Sequence, residues 1–237
     1  SRGLGDVYKR QIMLSDNFSK EGGFPMNPKQ TFYEHQANTI IANLKKRQMD
    51  GFYCPTCKDA VKTAMELVST GDSVSFGGSM TLSESGIMDA LTAREDITLY
   101  DRSKASTPEE VGDIYRKAFS CDTYFMSTNA ITLDGELVNI DGNGNRVAAL
   151  IFGPSQVIII CGMNKVATDT DAAVARVRNI ASPPNCNRLN RKTPCATTGV
   201  CADCLSPECI CNHTVITRRC GTPHRIKVLL VGEELGY

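Results

Sequence analysis

The chain contains no tryptophan, aromatic residues make up only 6% of its 237 positions, and its 26 basic side chains are balanced by 26 acidic ones. The shortage of aromatics removes the stacking platform on which single-stranded nucleic acids are held. Zero net charge, with a pI near 6.8, removes the basic face that phosphate backbones require. Nucleic acid is therefore excluded as an expected partner. Long hydrophobic runs are also missing. The longest, Val157-Ile158-Ile159-Ile160-Cys161, falls far short of the ~18 residues of a membrane span and reads as a buried strand. The N-terminus carries no apolar core of the secretory-signal kind, so a reducing cytoplasm is the expected location. Thiols there stay free or bind metal.

What the chain has in excess is cysteine, and it is unevenly placed. Seven of the eleven cysteines fall between Cys186 and Cys220. Apolar content of 41% and charged content of 22% are ordinary for a globular protein, and a core of this size folds without staples. The odd number of cysteines also argues against a closed disulfide set. The segment 186–220 is therefore expected to be organised by sulfur chemistry, with metal binding favoured.

The first eleven residues, SRGLGDVYKRQ, resemble translated sequencing-adaptor read-through and are set aside. Residues 1–25 are read as a non-native or disordered tail. Met26 is taken as the start, with Met13 the alternative. From there on, strands alternate with helices. Tyr33, Ala37, Ile40, Ile41 and Leu44 have helical spacing over 28–49, and Phe52 to Cys54 is a short strand. Ala60 to Val68 forms a second helix, stopped by Gly71. Ser73 to Phe76 is a strand that leads into Gly77-Gly78-Ser79-Met80-Thr81 and a third helix running to about Leu91. Ile97 to Tyr100 is a strand. Thr107-Pro108-Glu109-Glu110 caps a helix reaching about Phe119, and Thr123 to Met126 is a strand. Turn signals at Asp134-Gly135 and Asp141-Gly142-Asn143-Gly144-Asn145 mark a β-meander. Gln156 to Cys161 is a central strand, Asp169 caps a helix that Ser182-Pro183-Pro184 ends, and Arg225 to Val231 is the last strand. The alternation predicts one α/β domain over 26–237, a mostly parallel sheet with flanking helices, carrying a cysteine-rich extension.

The turn Gly77-Gly78-Ser79-Met80-Thr81 lies at the carboxyl end of a strand, where open α/β sheets bind ligands. Glycines allow close approach, a helix N-terminus offers free N–H groups, and Ser79 and Thr81 add hydroxyls. An anion site for phosphate, carboxylate or a carboxylate-bearing cofactor is the functional reading; a capped tight turn is the plain one. The motif is neither a Walker loop nor a GxGxxG fingerprint. Glu84, one turn further on, is the candidate acid/base. The Cys54-Pro55-Thr56-Cys57 pair is read as structural, His35 is given no role, and no Ser–His–Asp or HExxH arrangement occurs.

The segments GGSMTLSESG, ITLDGELVNIDGNGNRVAALIFGP and IIICGMNKVATD, in that order, resemble the LUD domain family of lactate-utilisation proteins of the LutB/LutC type. RLNRKTPCATTGVCADCLSPECICN and IKVLLVGEELGY resemble its short, cysteine-bearing subgroup. The resemblance spans about residues 28–237. It implies the fold of the glucosamine-phosphate deaminase (NagB), ribose-phosphate isomerase (RpiA) and CoA-transferase superfamily, and a role in oxidising lactate to pyruvate beside other lactate-utilisation subunits. It places Gly77, Gly78, Ser79, Thr81 and Glu84 on one cleft wall, Thr132, Gly135 and Glu136 on a hairpin, and Asn143, Asn145 and Arg146 on the next turn. Asn164 and Lys165 follow the central strand. Arg146 and Lys165 are then candidate clamps for a small anionic substrate: lactate, another organic acid, a phosphate ester or a CoA ester.

The same resemblance selects Cys195, Cys201, Cys204 and Cys211 as metal ligands, a C-x5-C-x2-C-x6-C spacing. A structural zinc site usually has two C-x2-C knuckles, and only one is present. Ferredoxin-type loops space three cysteines closely with a fourth farther off, so an iron–sulfur cluster of the 4Fe-4S kind is the nearer match, with zinc the alternative. Cys186, Cys209 and His213 are spare ligands, and Arg188, Arg191 and Lys192 are placed to offset thiolate charge. Three functions stay open: an iron–sulfur electron-transfer subunit of lactate oxidation, a stand-alone enzyme of isomerase or CoA-transferase type with structural zinc, and a redox-sensing binding module.

Overall fold

The computed structural model describes residues 28–237. The readings of Ser1–Gln11, Met13 and Met26 lie outside the described residues. The first helix, α1 (Pro28–Lys46), buries Tyr33, Ala37, Ile40 and Leu44, one stripe at helical spacing. It turns into β1 (Asp50–Cys54). Gly51 is needed there because a Cβ would lie 2.8 Å from Ile41 of the helix. Next come α2 (Cys57–Glu66), opened by a Thr56/Asp59 capping box, and β2 (Ser73–Phe76).

The expected third helix is broken. It forms α3 (Met80–Glu84) and α4 (Ile87–Thr92), because Gly86 takes φ 79° between them. Then follow β3 (Thr98–Tyr100), α5 (Pro108–Lys117), β4 (Thr123–Ser127), β5 (Ala130–Thr132) and β6 (Leu137–Asp141). The meander reading missed α6 (Asn145–Ile151), which starts directly after the turn at Gly144. After it come β7 (Gln156–Gly162), the short β8 (Val166–Ala167) and α7 (Thr170–Arg176). The prolines at 183 and 184 do not end the helical path. A π turn at Val177–Ala181 passes into α8 (Ser182–Arg188), whose first turn holds both prolines. The remaining elements are α9 (Pro194–Thr198), β9 (His213–Thr217) and β10 (Ile226–Val231).

Six strands form one sheet in the order β1-β10-β7-β4-β2-β3, and every pairing in it is parallel. Alternate residues of its strands enter opposite cores. Val157, Ile159, Val228 and Leu230 pack with α1 and α6 on one face. Ile158, Ile160, Leu229 and Val231 pack with α2, α3 and α4 on the other. Coverage of both faces is why these strands read as unbroken apolar runs. The α/β expectation of a parallel sheet with flanking helices is met. The β-rich pieces assemble into a second sheet, β8-β5-β6-β9, packed on α7 through Ala130, Val138, Ala173 and Val177. The strand β9 comes from inside the cysteine-rich segment and pairs antiparallel with β6, so that segment is stitched into the domain.

Candidate functional site

The carboxyl ends of β2, β4 and β7 open onto a cleft of about 310 Å³. Gly78 to Thr81 line it from the end of β2, Ser127 to Asn129 from β4, and Lys165 from the turn after β7. Asp141, Gly142, Asn143, Asn145 and Arg146 contribute a further wall, and Asn185, Arg188, Leu189, Arg191 and Ile210 close it from the cysteine-rich segment. Arg102, Arg146, Lys165, Arg188 and Arg191 bring positive charge, against one lining carboxylate side chain, Asp141, among the described residues.

Lys165 is only 4% exposed. Its Nζ donates to Thr81 Oγ1 at 2.7 Å, Ser127 Oγ at 3.0 Å and the Thr128 carbonyl at 3.4 Å. None of these partners carries a charge. Burial, with Arg176 and Arg146 nearby, lowers its pKa to about 8.

Arg146 lies in the cleft wall with both terminal nitrogens bonded to the protein itself. Its Nη1 bonds the Ser127 carbonyl and Asn139 Oδ1, and its Nη2 bonds Asn129 Oδ1 and the Ile140 carbonyl. Its Nε faces Asp141 Oδ2 at 3.1 Å. The expected clamp is thus a brace that fixes the ends of β4 and β6, and burial lowers its pKa.

The glycine turn also differs from expectation. A Cβ on Gly77 would stand 3.1 Å from the Tyr124 hydroxyl and 3.2 Å from Arg146 Cδ, and one on Gly78 would strike the Arg102 guanidinium. The two glycines make room for cations to lie against the turn. The helix behind it has five residues, too short for a strong dipole. The Ser79 side chain makes no cap bond, so its hydroxyl is left to the cleft. Thr81 is buried and holds Lys165.

Glu84 does not line the cleft. Its Oε2 accepts from the Gly236 N–H at 2.6 Å, and its charge opposes the Lys165 shift only weakly. Asn164 is turned the same way: its Oδ1 accepts from Leu235 N at 3.1 Å and its Nδ2 donates to the Leu235 carbonyl. Both residues secure the segment after β10, which brings Gly236 and Tyr237 to the cleft. Glu136 pairs with Arg47 and accepts from Thr170, away from the cleft. Sequence reasoning missed Ser127, Asn129, Arg102 and Arg176. The strand-end rule that selected Gly77 and Lys165 applies equally to Ser127 after β4 and Arg102 after β3. Arg176, which bonds the carbonyls of Asn164 and Asn129, had no local signal.

In the cysteine-rich segment, Cys186 and Cys195 are buried with their Sγ atoms 3.7 Å apart. Burial raises the Cys186 pKa to about 11. Cys211 Sγ donates to Ser182 Oγ, and its N–H donates to Cys209 Sγ. Cys201 lies beside Arg178, and Cys204 beside Ser206 and Cys209. Cys220 sits apart, buried in the main core. Cys211 lies near enough to Cys186, and Cys201 and Cys209 near enough to Cys211, to interact electrostatically, but among the described residues no three His, Cys, Asp or Glu side chains meet in metal-holding geometry. Arg188 and Arg191 face the cleft. The Cys54-x-x-Cys57 thiols are raised to about 12 and about 11 by burial, which suits structural thiols. No described helix is long and apolar enough to cross a membrane.

Fold and site together define an α/β protein with a cationic cleft at the carboxyl edge of a parallel sheet. The LUD domain profile matches residues 37–231, and the chain belongs to the LUD domain family. Among solved structures it is similar to a DUF162 family protein from Deinococcus radiodurans, at 12% identity and a TM-score of 0.45, over 87% of this chain and 99% of that one. It is also similar to eIF2B delta from Chaetomium thermophilum, at 15% identity and a TM-score of 0.32, over 60% of this chain and 54% of that one. No curated protein matches the sequence significantly.

Proposed function

We propose that this LUD domain protein serves lactate utilisation by binding a small organic anion in the strand-end cleft. The observation that carries the reading is the buried Lys165 ammonium, which has only neutral partners. An uncompensated buried cation favours an incoming anion, because the ligand supplies the missing counter-charge. Arg188 and Arg191 at the mouth, with the free Ser79 hydroxyl, suit a carboxylate or phosphate. Glu84 faces away, which weakens the stand-alone isomerase or CoA-transferase reading that needs it as base or nucleophile. Titration calorimetry with lactate, pyruvate, a sugar phosphate and a CoA ester tests the reading. At least one should bind the wild type and bind Ser79→Ala about tenfold more weakly. Failure of all four to bind overturns it.

We also propose that the thiols of 186–211 hold a thiophilic metal, as an iron–sulfur cluster or as zinc. Their donor chemistry fits. The 3.7 Å between Cys186 and Cys195 is about one edge of a tetrahedron with ~2.3 Å metal–sulfur bonds. That pair fits two ligands on one metal ion. The residues from 199 to 212 have no regular secondary structure and have to close on the pair to bring in Cys201, Cys204 or Cys211. When bound, an iron–sulfur cluster would supply one-electron transfer next to the cleft. Anaerobically purified protein should contain iron with acid-labile sulfide, or zinc. Cys186→Ser and Cys195→Ser should lose it, while Cys54→Ser keeps it. Metal-free protein with a reversible 186–195 disulfide would support the redox-sensing alternative instead.

A further inference from the structure

We propose that Lys165 is a nucleophilic amine that forms an imine with a small carbonyl-bearing anion in the cleft. The inference rests on the anion-cleft reading and adds a covalent step to it.

Position comes first. Lys165 follows the central strand β7 and closes the floor of the cleft, held by Thr81 from the α3 side and by Ser127 and Thr128 from β4. A lysine kept only for structure normally meets a carboxylate, and here the nearby carboxylates are committed elsewhere. Asp141 accepts from the Gly144 N–H and faces Arg146, and Glu84 accepts from Gly236.

Protonation comes second. A pKa of about 8 leaves roughly a tenth of the amine neutral at pH 7 and about half at pH 8. Desolvation of this kind is one of the ways proteins activate a lysine nucleophile.

The immediate partners come third. Thr81 and Ser127 are hydroxyls, able to accept from the ammonium and donate to the neutral amine. Each also has a second place to point, the Leu235 carbonyl for Thr81 and the Thr128 carbonyl for Ser127. They can therefore follow a change in charge on Nζ without leaving a buried donor unpaired. The mouth of the same cleft carries Arg102, Arg188 and Arg191. A ligand whose anionic group meets a guanidinium can direct its carbonyl carbon to the amine.

The step balances without an oxidant or reductant. The lone pair of neutral Nζ adds to the carbonyl carbon, the C–N bond forms, and the oxygen takes a proton to give the carbinolamine. The C–O bond then breaks. The carbonyl oxygen leaves as water with the two amine hydrogens, and C=N remains.

Two anionic groups suit the mouth, a carboxylate or a phosphate, so the test has two arms. The full chain is incubated with pyruvate, as the oxo-acid arm, or with an aldose phosphate. Sodium borohydride then reduces the imine to a secondary amine, and the product is weighed and mapped by peptide mass spectrometry. In one arm the expected result is a single saturable adduct with the mass of the carbonyl compound less one oxygen atom, on the peptide containing Lys165. Lactate, an anion without a carbonyl, should suppress it, and Lys165→Arg should abolish it. No adduct, or an adduct spread over other lysines and unchanged in Lys165→Arg, overturns the proposal. If that variant does not fold, the position of the adduct in the wild type decides. Calorimetry with pyruvate and the aldose phosphate, without borohydride, separates the two readings. Binding without trapping overturns the imine alone, and absence of binding by these two together with lactate and a CoA ester overturns the anion cleft as well.

Discussion

The cleft has two kinds of wall. Its floor, built on the ends of β2, β4 and β7, is made of buried groups held mainly by the protein's own hydrogen bonds. Arg146 uses all three nitrogens on protein partners, and Lys165 has three acceptors. Its other wall comes from the cysteine-rich segment. There Arg188 and Arg191 are exposed, the Arg188 guanidinium bonds Asn185, and the chain from 199 to 212 has no regular structure. The floor is preorganised by a sheet buried on both faces. The second wall is held by a pair of thiols, by β9 and by a few polar links such as Lys192 N to Glu208. One wall is thus fixed by the buried sheet and the other by fewer, more exposed contacts, so substitutions in the two should have unequal effects.

The contrast can be broken most severely at Arg146. Arg146→Met removes the guanidinium that braces Asn129 and Asn139 and leaves the buried Asp141 carboxylate without its cation. The expected loss is about 3–5 kcal/mol in urea unfolding. Arg191→Met, on the other wall, should cost less than about 0.5 kcal/mol. Equal losses would remove the distinction between the walls.

Next in size is the pH dependence of Lys165. Its folded pKa, about 8, lies below the ordinary 10.5. Between those values the unfolded chain holds a proton that the folded chain has released, so this group makes stability rise with pH across that window. Below the window the cost of charging the buried amine is present in full. Measured against Lys165→Met, the wild type should gain roughly 3 kcal/mol between the two values. A flat difference would show that the amine titrates normally.

Gly78→Ala should act on the site more than on the fold. The new methyl displaces the Arg102 guanidinium, which otherwise bonds the Tyr115 hydroxyl at 3.0 Å. Anion affinity should fall about tenfold, about 1.4 kcal/mol by calorimetry, with little change in Tm. The smallest effect is expected at Arg191→Ala. A side chain at the rim should weaken binding only a few-fold, and the loss should shrink further in high salt. A loss there exceeding that of Gly78→Ala would move the anion from the floor to the outer wall.

Much of this arrangement was legible before any coordinates. Unbroken apolar runs at 157–161 and 226–231 and the strand–turn–helix rhythm give a parallel sheet, because strands covered on both faces have no polar side to show. The rule that ligands meet strand carboxyl ends located Ser79, Thr81 and Lys165. Roles were less legible than positions. Arg146 and Lys165 look alike in sequence as cations beside turns. Only the fold surrounds one with five acceptors and leaves the other with three neutral ones. Glu84 lies one turn past the glycines, and the break at Gly86 together with the return of the chain after β10 makes it a tether.

The cysteine-rich segment shows the same division. Its composition alone raised the expectation of sulfur chemistry, since seven thiols in so short a stretch exceed what packing requires. Spacing could not reveal that Cys186 would stand beside Cys195, because their approach depends on how the chain turns between α8 and α9, with Arg191 N–H bonded to the Cys186 carbonyl and Thr193 Oγ1 against Cys195 Sγ. Nor could it reveal that this segment forms a wall of the strand-end cleft. Local sequence determines periodicity, caps and turns through short-range sterics. Which distant cation faces a ligand, and which is spent on the protein's own carbonyls, is decided by long-range contacts that only the folded chain creates.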